Sequence, residues 1–293
     1  MRSLRLSWTV LAANVVVIVG GGLVRATGSG AGCGRSWPTC QGEVLPALRG
    51  ATAIEFSHRI LTVVAGLAGL ALLRAVFREF RKGHPSRKAV TVAAGLFALE
   101  GLIGRALVEG GWVADDASLA RAVIVPLHLM NTFLLLAALT LTVAFVSGLG
   151  PIRVGRGAIP HLAVALGAVV VATTGSITGL ADTLFPRDFS LGTALVSDEH
   201  FLTQLRLIHP FVSVALVAAV VLLGRRVPGR GARIAVGVAF VQLAVGPLNV
   251  VLGAPVWLSL VHLALADAFW VAWVWSLVEA GQQSVEPIPV HSE

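Results

Sequence analysis

Four histidines, His58, His128, His209 and His262, each stand in an otherwise oily stretch of this chain. A neutral imidazole can bind a transition metal through one ring nitrogen while the other donates a hydrogen bond. One such residue in an apolar helix commonly serves only as a helix-to-helix hydrogen-bonding group. Two pairs contributed by different helices could instead hold two haem irons, each from both sides. The stretch "IEFSHRI" adds a carboxylate, Glu55, and a guanidinium, Arg59, beside His58. A desolvated carboxylate next to a bound ligand is a candidate for proton transfer, and an ionisable group within a membrane is a functional candidate by default.

The elements that must position these groups follow from composition. At 293 residues, 56% hydrophobic and 13% charged, with a mean hydropathy of +0.85, the chain has too few charges to coat a soluble globule. Eight apolar runs approach or exceed the roughly 20 residues that cross about 30 Å of hydrocarbon as a helix. They lie near 8–26, 52–76, 89–109, 120–147, 158–180, 202–224, 232–252 and 256–278. The first is read as a retained helix, since it is longer than a signal-peptide core and no small-residue cleavage site follows. The expected fold class is an all-α integral membrane protein of eight transmembrane helices, arranged as two pseudo-symmetric four-helix bundles, 1–150 and 151–293. The net charge of +7 gives no reason to expect a nucleic-acid partner, because the basic residues fall in short connections between spans.

Those connections set the orientation. The N-terminus with "RAVFREFRKGHPSRK", "PIRVGRG" and "GRRVPGRGAR" holds 14 of the 22 Lys and Arg residues, so this side, and both termini, are expected to face the cytoplasm. Glu43, Glu109, Asp115, Asp116, Asp182, Asp188, Asp198 and Glu199 fall on the other side. Spans 2, 4, 6 and 8 then run inward, and each carries its histidine six to eight residues past its outer end. At about 1.5 Å of rise per residue all four sit near one depth, roughly 10 Å below the outer surface. No acid or thiolate at that depth is expected to complete a tetrahedral zinc site.

The two halves also read as related. "FALEGLIGRALVEGG" and "FVQLAVGPLNVVLG" each place an acid or amide four residues before a glycine, Glu100 with Gly104 and Gln242 with Gly246. They differ beside the first histidine of each half, where Glu55 stands three residues before His58 and Arg206 three before His209. Positions i and i+3 share one helix face, so one half is expected to present a carboxylate to its ligand and the other a cation. Arg25, Arg49, Arg59, Arg121 and Arg206 run against the positive-inside trend, and outward-directed propionates would account for them. Glu100 is read as tuning a pocket or pairing with Arg105, Asp267 as a bundle-facing hydrogen-bonding group, and the seven Trp as interface anchors.

The loop "TGSGAGCGRSWPTCQGEVLP" holds the only two cysteines, Cys33 and Cys40. Their position on the oxidising side of a Gly-rich loop favours a disulfide. The pair is either a structural staple or a redox couple that exchanges with an external thiol-disulfide protein.

Taken in order, "GGLVRATGSGAGCGRSWPTCQG", "EFSHR" and the single histidines of spans 4, 6 and 8 resemble the bacterial haem A synthases over almost the whole chain. The resemblance implies an oxidoreductase of the bacterial cytoplasmic membrane that turns a methyl group of haem O into the formyl group of haem A, with oxygen from water, for terminal oxidase assembly. It implies His58 and His128 as ligands of the substrate haem in the N-terminal bundle, Glu55 as the catalytic acid, and His209 and His262 as axial ligands of haem b in the C-terminal bundle. Haem O is poorly soluble, so contact with the farnesyltransferase that forms it, with oxidase assembly factors, or with a second copy of the chain is compatible with this reading. A di-haem electron-transfer protein linked to quinone, or a haem transporter or chaperone, would use the same histidines without needing Glu55.

Overall fold

A computed structural model describes residues 2–151, 158–186, 200–224 and 229–283. Asp188, Asp198 and Glu199, and most of the basic "PIRVGRG" connection, lie outside the described residues. The described residues form nine α-helices and no β-strand: α1 (Arg2–Ala26), α2 (Gly50–Glu79), α3 (Pro85–Gly110), α4 (Leu119–Val146), α5 (Ala158–Leu184), α6 (Phe201–Leu205), α7 (Ile208–Gly224), α8 (Arg230–Val251) and α9 (Val256–Gln283). With α6 and α7 counted as one run, Phe201–Gly224, eight helical segments are long and apolar enough to cross a membrane. The protein is a multi-pass membrane protein.

Helix ends follow local chemistry. Pro85 opens α3, where a missing N–H costs nothing, and Gly111 closes it in the left-handed conformation at φ 70°. Ser118 caps α4, its hydroxyl accepting from the Arg121 backbone N–H at 3.3 Å.

The sixth span departs from expectation. It breaks at Arg206 and Leu207, between α6 and α7. Pro210 in the first turn of α7 has no N–H to offer the Arg206 carbonyl, so the ladder is interrupted there. Arg206 therefore does not share one continuous helix face with His209. Its guanidinium turns towards α5, where Nε lies 3.1 Å from Asp182 Oδ1 and Nη2 donates to the carbonyls of Ala181 and Phe185.

Neighbour contacts run α1–α2–α3–α4 and back to α1 in the first half, and α5–α7–α8–α9 and back to α5 in the second. The halves meet through α1 and α4 on one side and α5 and α9 on the other. This seam is closely packed, with Phe133, Leu136, Val143, Trp270, Trp273 and Val274 all buried. Trp270 Nε1 donates across the seam to the Phe133 carbonyl at 2.7 Å, and Trp273 Nε1 donates to the His161 carbonyl of α5 at 3.1 Å. These two tryptophans are therefore seam residues rather than interface anchors, and their indole N–H groups satisfy the usual requirement of a buried Trp.

Trp273→Ala removes the largest fully buried side chain and one hydrogen bond between helices, so we expect a loss of about 3–5 kcal/mol. Trp257→Ala alters a 61% exposed side chain on the same helix, with an expected change of at most about 0.5 kcal/mol. Unfolding of both variants in one detergent checks the contrast.

Candidate functional site

All four predicted histidines border one cavity of about 1180 Å3 that spans both halves. This exceeds the roughly 300–1,000 Å3 that usually takes one drug-sized ligand. Each ring rests on a glycine of the preceding long helix. A Cβ built at Gly21 of α1 would lie 3.2 Å from His58 Cε1, at Gly104 of α3 3.9 Å from His128 Cε1, at Gly175 of α5 2.9 Å from His209 Cε1, and at Gly246 of α8 3.5 Å from His262 Cε1. At Gly21 and Gly175 a larger side chain would push the ring away, whereas at Gly104 and Gly246 there is ordinary contact.

The nitrogens divide between wall and cavity. Nδ1 of His58, His128 and His262 is buried without a formed hydrogen bond, and Nδ1 of His209 lies 3.1 Å from the Val171 carbonyl oxygen and 3.3 Å from Thr174 Oγ1. Nε2 is the nitrogen left to face the cavity. The His209 and His262 rings oppose each other with centroids 6.4 Å apart and planes at 86°.

Glu55 is buried, yet well supplied with partners. Its Oε2 accepts from the Cys33 backbone N–H at 2.8 Å, and its Oε1 lies 2.5 Å from Arg59 Nη2. Arg59 Nη1 in turn donates to the carbonyls of Ser36 at 2.8 Å and Thr39 at 2.7 Å. Glu55 and Arg59 thus hold the first loop from below. The loop closes on itself through the Cys33–Cys40 disulfide, and both cysteines are fully buried. Any exchange with an external thiol must first open the loop. Gly30 packs on Val113 and Gly111 on Arg35, so the acidic 109–121 connection lies against the same loop. Arg121 fastens that connection by donating to the carbonyls of Ala114 and Asp116.

Arg25, Arg59, Arg121 and Arg206 all border the cavity, and each already has protein acceptors. Arg25 reaches across from α1 to the Gly179 carbonyl and to Thr183 Oγ1 at 3.0 Å on α5. Arg121 is buried, and its Nε has no partner. Asp182, on the cavity wall beside Arg206, supplies the second half with an acid that comparing α2 with α7 alone could not reveal. It belongs to another helix.

Two further acids were only loosely placed by sequence. Glu100 does not pair with Arg105, which binds Glu109 at 2.8 Å; its Oε1 stands 3.1 Å from His128 Nδ1. Asp267 is fully buried, and neither carboxylate oxygen has a hydrogen-bond partner, so the expected hydrogen-bonding role is not seen among the described residues. Sequence alone assigns the four glycines no role as supports for the histidine rings. Their signal was the shared spacing of Gly104 and Gly246 from Glu100 and Gln242.

Comparison with known proteins places the chain in a family. The family described as cytochrome oxidase assembly protein matches residues 4–53 and 47–274. A protein of Thermus thermophilus named protoheme IX farnesyltransferase is 44% identical over 299 aligned positions, covering 96% of this chain and 49% of its own length. The chain thus spans about half the length of that relative. Heme A synthases of Lysinibacillus sphaericus, 32% identical over 184 positions with 60% of this chain and 59% of the relative covered, and of Bacillus licheniformis, 37% identical over 99 positions with 34% and 33% covered, are also similar.

Arg59→Ala removes the cation shared by Glu55 and the loop carbonyls. We expect a loss of about 1.5–3 kcal/mol and faster reduction of Cys33–Cys40 by dithiothreitol, followed by thiol alkylation and mass. Arg105→Ala breaks an exposed pair and should cost less than about 1 kcal/mol.

Proposed function

The chain belongs to the cytochrome oxidase assembly protein family, and from that premise we propose that it is a haem A synthase, a membrane oxidoreductase that converts a methyl group of haem O to a formyl group. The observation that carries this reading is an asymmetry. Two histidine pairs border one cavity, and only beside His58 does the histidine's own helix carry a carboxylate clamped by an arginine and a backbone N–H.

The second pair fits a haem b. The ring centroids of His209 and His262 lie 6.4 Å apart, close enough for the two imidazoles to hold one iron between them. The glycine at 175 leaves room for the His209 ring that a methyl group would take. Bound there, haem b would supply one-electron transfer.

His58 and His128 would hold the substrate haem O. Arg59 and the Cys33 N–H hold Glu55 in place on the cavity wall, where its carboxylate would take up a proton or offset positive charge developing at the reacting substituent. Arg25, Arg121 and Arg206 on the cavity wall would offer N–H groups to the propionates. In balance, a ring methyl and one water yield the formyl group, four protons and four electrons, through an alcohol, the electrons passing to an oxidant outside the chain. A two-bundle architecture of 1–150 and 151–293, with both termini cytoplasmic and the disulfide loop outside a bacterial cytoplasmic membrane, suits the ring-like contacts in each half and the basic connections. Similarity to half of a protein named protoheme IX farnesyltransferase supports a haem O-forming enzyme as neighbour. Oxidase assembly factors are the corresponding downstream partners.

Cells that make haem O and express this chain should yield formyl-bearing haem A on extraction, chromatography and mass measurement. Recovery of only haem O and haem b, where a known synthase converts haem O, overturns the enzyme reading in favour of electron transfer or carriage. Glu55→Gln should keep its haem while conversion falls about 10²–10⁴-fold. Gly175→Ala should at least halve bound haem b, read by the pyridine haemochrome spectrum, without removing the substrate haem.

A further inference from the structure

The clearest unassigned group is Glu100. It stands four residues before Gly104, on which His128 rests, while the corresponding place before Gly246 and His262 is taken by Gln242. Glu100 Oε1 is 3.1 Å from His128 Nδ1, at an approach too oblique to count as a formed hydrogen bond, and that nitrogen has no other partner. Such contacts often align only once the ligand is in place.

The carboxylate is held by the same helix that carries the histidine. Thr132 Oγ1 donates to its Oε1 and Asn131 Nδ2 to its Oε2, and Asn131 Nδ2 also donates to the Leu96 carbonyl at 2.9 Å. The nearest cation in sequence, Arg105, is engaged by Glu109, which leaves the charge of Glu100 directed at the imidazole. In the second half, Gln242 Oε1 and His262 Nδ1 are both buried without a partner.

A ligating imidazole that gives its other N–H to a carboxylate donates more strongly to its metal than one that faces a neutral amide. We propose that Glu100 is a positioning residue that holds the iron bound by His58 and His128 at a lower reduction potential than the iron bound by His209 and His262. The consequence is direction: one electron leaves the first iron, which is oxidised, and reduces the second, with no bond made or broken. The carboxylate beside His128 and the amide before His262 thus differentiate the two sites. This rests on reading the two histidine pairs as haem sites.

The test is a potentiometric titration, followed by absorbance, of purified protein carrying both haems. His58→Ala and His209→Ala, each lacking one haem, assign the two midpoints. Glu100→Gln should move the first midpoint to a more positive potential and leave the second unchanged. Gln242→Glu should move the second to a more negative potential, which keeps the idea testable if Glu100→Gln fails to hold its haem. Glu100→Asp should restore part of the shift. Two assigned haems whose midpoints do not respond to either exchange overturn the proposal while leaving the haem reading intact. Failure of the histidine variants to remove haem overturns both.

Discussion

Polar side chains cannot be left facing hydrocarbon, and that one constraint fixes the rotation of every span in this protein. On α2 the outward surface includes Val64, Leu67 and Leu70, all well exposed. Glu55, His58 and Arg59 of the same helix border the cavity. The same rule applied to α4, α7 and α9 turns His128, His209 and His262 inward, so the site is assembled by what the membrane excludes as much as by what the ligands attract. Buried charge then needs partners of its own. Arg59 meets this need for Glu55, and Arg206 for Asp182.

Close approach is the second requirement. An imidazole that must reach a central cavity needs space where it leaves its helix, and glycine on the neighbouring helix provides it. At Gly175 the space is smallest, and the facing ring is the one whose Nδ1 also meets a backbone carbonyl, that of Val171. Steric fit and hydrogen bonding there fix the ring in one orientation, as a metal ligand needs.

Much of the fold was legible in advance, because membrane thickness converts hydrophobic length directly into helices. All eight spans and the four inward histidines follow from that conversion. Relations between helices were not legible. Asp182 could not be matched to Arg206 from sequence, since the pair joins α5 to the turn between α6 and α7. Pro210 was visible, but reading Arg206 and His209 at i and i+3 of one helix face concealed the break at Arg206. Trp270 and Trp273 were read as interface anchors by residue type, whereas their burial in the seam depends on which way α9 faces. Glu100 offered two candidate partners, Arg105 and the pocket; a helical spacing of five, rather than three or four, already disfavoured Arg105.

The seam between α4 and α9 has a bearing on how such a chain could be divided. Each half has its own ring of helix contacts, which suggests cutting near residue 150 to obtain two small proteins. Severed there, the first half would present Phe133 and its neighbours to lipid, and the second would carry the Trp270 indole with its acceptor, the Phe133 carbonyl, left behind. Trp273 would keep its acceptor, since His161 stays with the second half. The fragments would be sticky rather than independent, and co-expressed they would be driven to find each other again, making this chain a candidate for functional complementation from two pieces.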